Sequence, residues 1–514
     1  MADAHNASIR LSRRLSTQDA SFVYGESPSG PLHIGAVCIF DGELDYDELV
    51  DHMEARIHLL PRYRQRLAFV PFNLAHATLE DDPEFDLRRH IKRHTLAAET
   101  NDETLLAAAM REYAPMLDRS RPLWEMHLFN GLAHGRSAVM WKVHHCLVDG
   151  VSGMELLNIA LDLRAEAQAP EKPRHQFRPP PLPGSMRSLA NALIDLLQDR
   201  LDEARRASDL IDAPLTLGER MATAANMLGK LAQMASRPIV AAPWNARMVG
   251  AERKLVYLKV PFADLRAIHN ALGGTANDTV LAILSEAAAR YLDRHKVPGA
   301  GYSLRIGCPV NVRRDREGGT LGNRVSMMFP ELPATPMPPV ERLHAVTRAT
   351  MRIKMAGDPH AFERLLASAA RMPPSLMSMA TGLATTIMDA IAQLGDLMPA
   401  LAQTIALPAP GINFIATNVP GAQVPLYLAG RRMLDMIGCV PLAANLGFNV
   451  AIVSYNQGVV FGMMAEPRLM PDVELMRDFA AQVFAELLEA ARAAAAEKSR
   501  INQPAGKPAS NAAA

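Results

Sequence analysis

The sequence predicts an α/β fold, α+β in detail, divided into two domains, and three observations carry that prediction. Strand-like alternation and helix-like spacing of apolar residues interleave on both sides of the middle of the chain. Between them the proline-dense run from Ala165 to Ser185, with Arg178-Pro179-Pro180-Pro181-Leu182-Pro183, can continue neither a helix nor a central strand and reads as a semi-rigid linker. At 514 residues the chain is too long for one ordinary core; it suits two domains of about 200 residues each plus connectors. The expected units are residues 1–164, a linker and helical connector over 165–252, a second domain over 253–490 and a disordered tail over 491–514.

In the first domain, Pro122 to Leu132 and Ser137 to His145 read as a hairpin turning through Asn130-Gly131 and Gly135. Along its second strand Val139, Trp141, Val143 and His145 would share one face, with Met140, Lys142 and His144 on the other. Asp149-Gly150 then ends the segment in a turn, where glycine spares the backbone a Cβ clash. Ser152 to Glu155 reads as a capping box opening a helix striped by Met154, Leu157 and Leu161. After the linker, Met186 to Ser208 is amphipathic, with Leu189, Leu193, Leu196 and Leu197 on one face.

The second domain opens with a strand over Lys254 to Val260, a helix from Ala263 and the turn Gly273-Gly274. Thr275-Ala276-Asn277-Asp278 starts a long helix on which Val280, Leu284, Ala288 and Tyr291 recur at helical spacing. Asn277 at that entrance would cap backbone donors or reach a substrate carbonyl, and spacing favours capping. Tyr302 to Arg313 reads as a strand ending in the cations Arg313, Arg314 and Arg316. Met372 to Ile405 is Met-rich but broken by Pro373-Pro374, which fits short helices better than a span. Ile412 to Val419 is a further strand, and Val450 to Asn456 pairs with Val459 to Met464 across Gln457-Gly458. The last helix, Pro471 to about Glu497, places Met476, Phe479, Val483 and Leu487 on one stripe.

Charge and cysteine usage narrow the function classes. With 54 basic and 54 acidic residues the net charge is zero, so nucleic acid is not an expected partner. The four cysteines, Cys38, Cys146, Cys308 and Cys439, have neither pairing nor metal-like spacing and read as reduced. Met1 to Arg14 has no apolar core of a signal peptide and no apolar run is long enough to span a membrane, so a cytoplasmic location is expected. The 28 methionines suit either an adaptable core or surfaces that accept flexible alkyl chains.

Chemistry concentrates in Trp141 to Gly150, where two adjacent histidines close within five residues on Asp-Gly. Histidine, with a pKa of about 6.5, takes and returns a proton near neutrality, as attack by a hydroxyl on a thioester requires. No third and fourth ligand stand at helix spacing from His144 and His145, so no metal is expected there. A purely structural histidine pair in a buried turn is the plainer alternative.

At these residues the chain resembles known families. His-His-x-x-x-Asp-Gly over His144 to Gly150 is the signature of the CoA-dependent acyltransferase superfamily; His144 to Asp149 also matches the His-x4-Asp signature of glycerol-phosphate acyltransferases. Seven ordered blocks narrow the resemblance to the bacterial wax ester synthase/diacylglycerol acyltransferase family: Leu15 to Phe22, Pro31 to Gly35, Pro122 to Glu125, Asn277-Asp278, Pro309 to Arg313, Leu321 to Arg324 and Thr417 to Gly421. The resemblance covers roughly residues 12 to 490. It implies two domains of chloramphenicol-acetyltransferase-like topology with an active-site tunnel between them.

It further implies transfer of a fatty acyl group from acyl-CoA, a co-substrate with no permanently bound cofactor, to the hydroxyl of diacylglycerol or a long-chain fatty alcohol. His145 would be the general base, supported by His144. Asp149 would hold the loop through a buried ion pair with Arg313, or with Arg305. Asn277 and Gly150 would serve substrate binding, and the Met-rich segment would roof an acyl channel or touch lipid. The implied setting is peripheral, at the inner membrane or a lipid inclusion. Two alternatives remain: condensation-like transfer from a carrier-protein thioester, and a non-catalytic lipid-binding relative.

Overall fold

The computed structural model describes residues 14–71, 75–148, 157, 159–171, 179, 182, 184, 194, 239–248, 250–311, 325–355, 411–443 and 445–501. The first sheet contains, in spatial order, β12 (Tyr427–Leu428), β13 (Arg431–Cys439), β1 (His33–Phe40), β6 (Arg136–His144), β5 (Trp124–Leu132) and β4 (Ile91–Thr100). The second runs β10 (Glu331–Pro333), β8 (Ser303–Asn311), β11 (Phe414–Pro420), β14 (Phe448–Tyr455), β15 (Gly458–Ala465) and β7 (Lys254–Pro261), with β9 (Val325–Met328) beside β8. A small ribbon, β2 (Gln65–Ala68) and β3 (Thr78–Asp81), stands apart. The helices are α1 (Thr17–Gly25), α2 (Tyr46–Glu54), α3 (Asp102–Tyr113), α4 (Phe262–Leu272), α5 (Ala276–Arg294), α6 (Pro339–Met355) and α7 (Val473–Ile501).

Period-two alternation sorts the strands' side chains among three cores. In β14, Phe448, Val450 and Ile452 enter the core beneath α4 to α7. Ala451, from the opposite face, joins Val37, Ile39 and Ile437 of the first sheet in a core shared by both halves. Farther along that face Val453 and Tyr455 reach the core of the first half. The sheets approach closely where a Cβ on Gly462 would sit 2.3 Å from the Gly438 carbonyl oxygen. Glycine is required at Gly462 because no larger residue fits that contact.

The second half of the chain completes the first sheet. β13 pairs antiparallel with β1, from Gly35 opposite Cys439 to Phe40 opposite Met433. Without it the edge of β1 would present unpaired backbone groups. A division of the chain at residue 252 therefore leaves 427–439 in the first domain's sheet.

Three local expectations are corrected. The β14–β15 turn has its left-handed residues at Asn456 and Gln457, φ 43° and 65°, one position earlier than Gln457-Gly458; a two-residue hairpin turn needs positive φ at both centres, and Asn tolerates it. The final helix continues to Ile501, through residues expected to be disordered, because its Ala-rich end has high helix propensity. β6 stops at His144 rather than His145. The capping box at 152–155, the cations 313–316 and the Met-rich segment 372–405 lie outside the described residues, as does the helix expected over 186–208 save Ile194.

Candidate active site

The end of β6 positions the two histidines differently. β6 runs antiparallel to β1 with His144 opposite His33, and on its other side Val143 faces Trp124 of β5. The His145 backbone N–H donates to the Leu32 carbonyl at 3.0 Å, and the chain then turns through the 3-10 segment His145–Leu147. Val139, Trp141 and Val143 keep the expected face, but the turn lifts His145 off the pleat and onto α1. There its ring stacks on Phe22 with centroids 3.8 Å apart and planes 12° from parallel. α1 is presented for this by Ser16, whose hydroxyl accepts the Asp19 N–H as the helix N-cap.

His144 is locked from both sides. Its Nδ1 accepts the Cys146 backbone N–H at 3.1 Å, so the neutral ring carries its proton on Nε2. That Nε2 lies 3.5 Å from Glu26 Oε2, and both side chains are 1% exposed. Glu26 follows the last turn of α1, accepts the Leu32 N–H at 3.0 Å and pairs with Arg119 Nη2 at 2.9 Å. Burial pushes the Glu26 carboxyl up, but His144 and Arg119 outweigh it and hold the group at about 2. Glu26 is therefore a permanent carboxylate behind His144.

His145 is prepared as a free base. Its Nδ1 is buried and has no hydrogen-bond partner among the described residues. Burial, with a smaller contribution from His144, lowers its pKa to about 4, so the imidazole is neutral at pH 7. The neighbouring thiol is not a competing nucleophile. Cys146 is fully buried and its pKa is driven far above the ordinary thiol range by burial. A protonated, enclosed thiol is a packing group. Lys142, on the face opposite Trp141, donates to the Glu112 and Pro115 carbonyls at 3.1 and 2.6 Å, and burial lowers its pKa to about 8.

Asp149, Gly150 and Arg313 lie outside the described residues. Arg305, the other cation considered for Asp149, is fully buried, donates to Glu331 Oε1 from Nη2 at 2.9 Å and to the Gly411 carbonyl from Nη1 at 3.1 Å. Asn277 does not cap its helix. Thr275 and Asp278 form a reciprocal capping box around it, and Asn277 Oδ1 accepts from Asn418 Nδ2 at 3.4 Å. That contact unites two of the sequence blocks, at the entrance of α5 and on β11. Among the described residues no hydrogen bond or ring contact joins the Asn277 pair to the His144–His145 group.

Phe22, Glu26 and Arg119 were not recognisable as site residues in the sequence. The four-residue spacing of Phe22 and Glu26 places them on one side of α1 and was the available signal. Arg119 offered none, since it enters from a loop 93 residues away.

Residues 15–280 match the family model described as the wax ester synthase/diacylglycerol acyltransferase catalytic domain, and 321–488 match its C-terminal domain. A Mycobacterium tuberculosis (strain H37Rv) protein described as a "probable diacylglycerol O-acyltransferase" is 30% identical over 475 residues, 89% of this chain and 92% of that one. The wax ester synthase/diacylglycerol acyltransferase from Marinobacter aquaeolei VT8 has a similar fold, with TM-score 0.62 and 22% identity over 93% of this chain and 100% of that one. So has the first condensation domain of the calcium-dependent antibiotic synthetase, with TM-score 0.56 and 16% identity over 94% and 96%. These two likenesses carry the fold alone, the two-domain chloramphenicol-acetyltransferase-like architecture. With one family model spanning more than half of the sequence and a 30% identical relative matched along most of its length, the chain belongs to the wax ester synthase/diacylglycerol acyltransferase family of O-acyltransferases.

Proposed function

We propose that this protein transfers a fatty acyl group from acyl-CoA to the hydroxyl of diacylglycerol, forming triacylglycerol, or to that of a long-chain fatty alcohol, forming a wax ester, or to both. The observation that carries the reading is the state of His145, a neutral imidazole stacked on Phe22 whose buried Nδ1 has no hydrogen-bond partner among the described residues. In this reading Nδ1 carries the ring proton and Nε2 is the working nitrogen. It accepts the proton of the acceptor hydroxyl as the oxygen attacks the thioester carbonyl. When the tetrahedral intermediate collapses, the C–S bond breaks and the same proton passes to the CoA sulfur. No acyl-enzyme forms. His144, held between Cys146 and Glu26, sets the turn that aims His145, and Asn277 orients the acyl carbonyl. In this reading Asp149 would hold the loop by pairing with Arg313, and Gly150 would serve substrate binding. No described helix is long and apolar enough to cross a membrane, and we place the enzyme peripherally, at the cytoplasmic face of the inner membrane or a lipid inclusion.

The test is thiol release from palmitoyl-CoA with dioleoylglycerol or hexadecanol as acceptor. Turnover on at least one is expected, and the ratio of initial rates assigns the preferred acceptor. His145→Ala should lose at least about a hundredfold in kcat, the contribution of a positioned general base, while melting close to the parent. A folded His145→Ala protein of near-parental activity overturns the assignment, and a larger loss from His144→Ala moves the base to the neighbouring position.

A further inference from the structure

A second cluster of histidines sits at the edge of the first sheet. β4 is the edge strand and runs parallel to β5, with Lys92 opposite His127 and His94 opposite Phe129. His94 and His127 thus lie diagonally on one face, beneath α3. His94 Nε2 is 3.0 Å from His127 Nδ1, and Glu112 Oε2, from the last turn of α3, is 3.7 Å from the same Nδ1. All three donor atoms lie within 4.8 Å of one another.

The surroundings prepare these atoms as ligands. His127 is fully buried, and its Nε2 lies 3.2 Å from Glu125 Oε2. Glu125 is itself held by Lys92 at 2.8 Å. A carboxylate accepting Nε2–H commits the Nδ1 lone pair to the other side, the arrangement by which an outer carboxylate orients a metal-bound histidine. Phe129 stacks on His94 at 4.7 Å and fixes the second ring. Lys92 Nζ and Lys142 Nζ lie 2.8 and 3.8 Å from Glu125, which screens the imidazoles from both ammonium groups.

We propose that His94, His127 and Glu112 bind a divalent transition-metal ion of the zinc class, with water completing the shell. Two imidazoles and one carboxylate suit such an ion, whose bonds of about 2.0–2.2 Å span donor separations up to roughly 4 Å. Glu112, 38% exposed at its side chain, closes the remaining gap by rotation. The ion would tie α3 to the sheet edge. It would stand apart from the acyl-transfer chemistry: His127 pairs with Met140, four residues and so about 13 Å along the strand from His144.

The test uses the full chain stripped with EDTA, then titrated with ZnCl2 in equilibrium dialysis and thermal melting. One zinc per chain and a raised Tm are expected; both are lost in His94→Ala, and Glu112→Gln, altered at a partly exposed position, binds at least tenfold more weakly. MgCl2 should do neither, since a site of two imidazoles disfavours a hard, oxygen-seeking ion. Thiol release by the zinc-free parent reports separately on the proposed function and is expected to match that of zinc-free His94→Ala. No saturable zinc binding in the parent, or stoichiometric binding unchanged in both variants, overturns the proposal.

Discussion

Between α5 and α6 in the second half, Glu286 and Arg342 are wholly buried and every charge is answered. Arg342 Nε donates to Glu286 at 2.9 Å, and its two other nitrogens donate to the Pro333 and Thr335 carbonyls at 2.6 Å each. Glu286 also accepts from Arg290 at 3.1 Å and from the Met337 N–H at 3.2 Å. Around the end of β6 the pattern reverses. His33 Nδ1 and His145 Nδ1 are buried without a hydrogen-bond partner among the described residues, and His144 Nε2 has only the Glu26 carboxylate at 3.5 Å. Buried polar groups are normally satisfied, because an orphaned one costs about 1–3 kcal/mol. The saturated pair therefore serves to hold elements together, and the unsatisfied cluster reads as chemistry for which stability has been given up.

The largest test of the contrast is Arg342→Ala. It strands the Glu286 carboxylate in the core, and breaking a buried pair in this way costs about 3–5 kcal/mol. Thermal and denaturant melts should show that loss, with activity falling only as the folded fraction does. A parental melt would place Glu286 and Arg342 outside the structural role. Next in size, Glu26→Gln removes the acceptor charge behind His144 and leaves Arg119 without its carboxylate. A roughly tenfold fall in kcat with little change in KM is expected, about 1.4 kcal/mol, since His144 loses the carboxylate that faces its Nε2 at 3.5 Å. An effect confined to Tm would make Glu26 a structural residue only.

A smaller effect follows from pH. The unfolded chain binds a proton on His145 near pH 6.5, while the folded one binds it only near pH 4. Between these values the unfolded state holds more protons, so this histidine costs stability progressively as pH falls from 6.5 to 4 and no further below. Tm should drop across that window in the parent and drop less steeply in His145→Ala; equal slopes would show that His145 titrates normally. The smallest effect belongs to Cys146→Ala. Removing one packed sulfur changes the core volume little, so most activity should remain, and intact mass spectrometry after acyl-CoA alone should find an unmodified chain. A stoichiometric acyl adduct that disappears in Cys146→Ala would replace direct transfer with a two-step route.

The residues declared much of this before any coordinates. Alternation at Val139, Trp141 and Val143 is a period-two signal that survives in the sheet, and the helices striped by Val280 and Leu284 or by Met476 and Val483 stand where expected, with those residues buried. These are local patterns, written by neighbours in sequence and therefore readable there. The adjacent histidines announced acid–base chemistry for the same reason. Their different fates were decided by tertiary structure: the Leu32 carbonyl that stops β6 at His144, the Phe22 ring that receives His145, and the Glu26–Arg119 pair behind His144 come from distant parts of the chain. Likewise the Asn277–Asn418 contact spans 141 residues, and β13 enters the first sheet although it follows β1 by almost the whole chain. Each depends on which strand edges and side-chain faces meet in space, a selection made by long-range packing and backbone pairing that no local periodicity encodes.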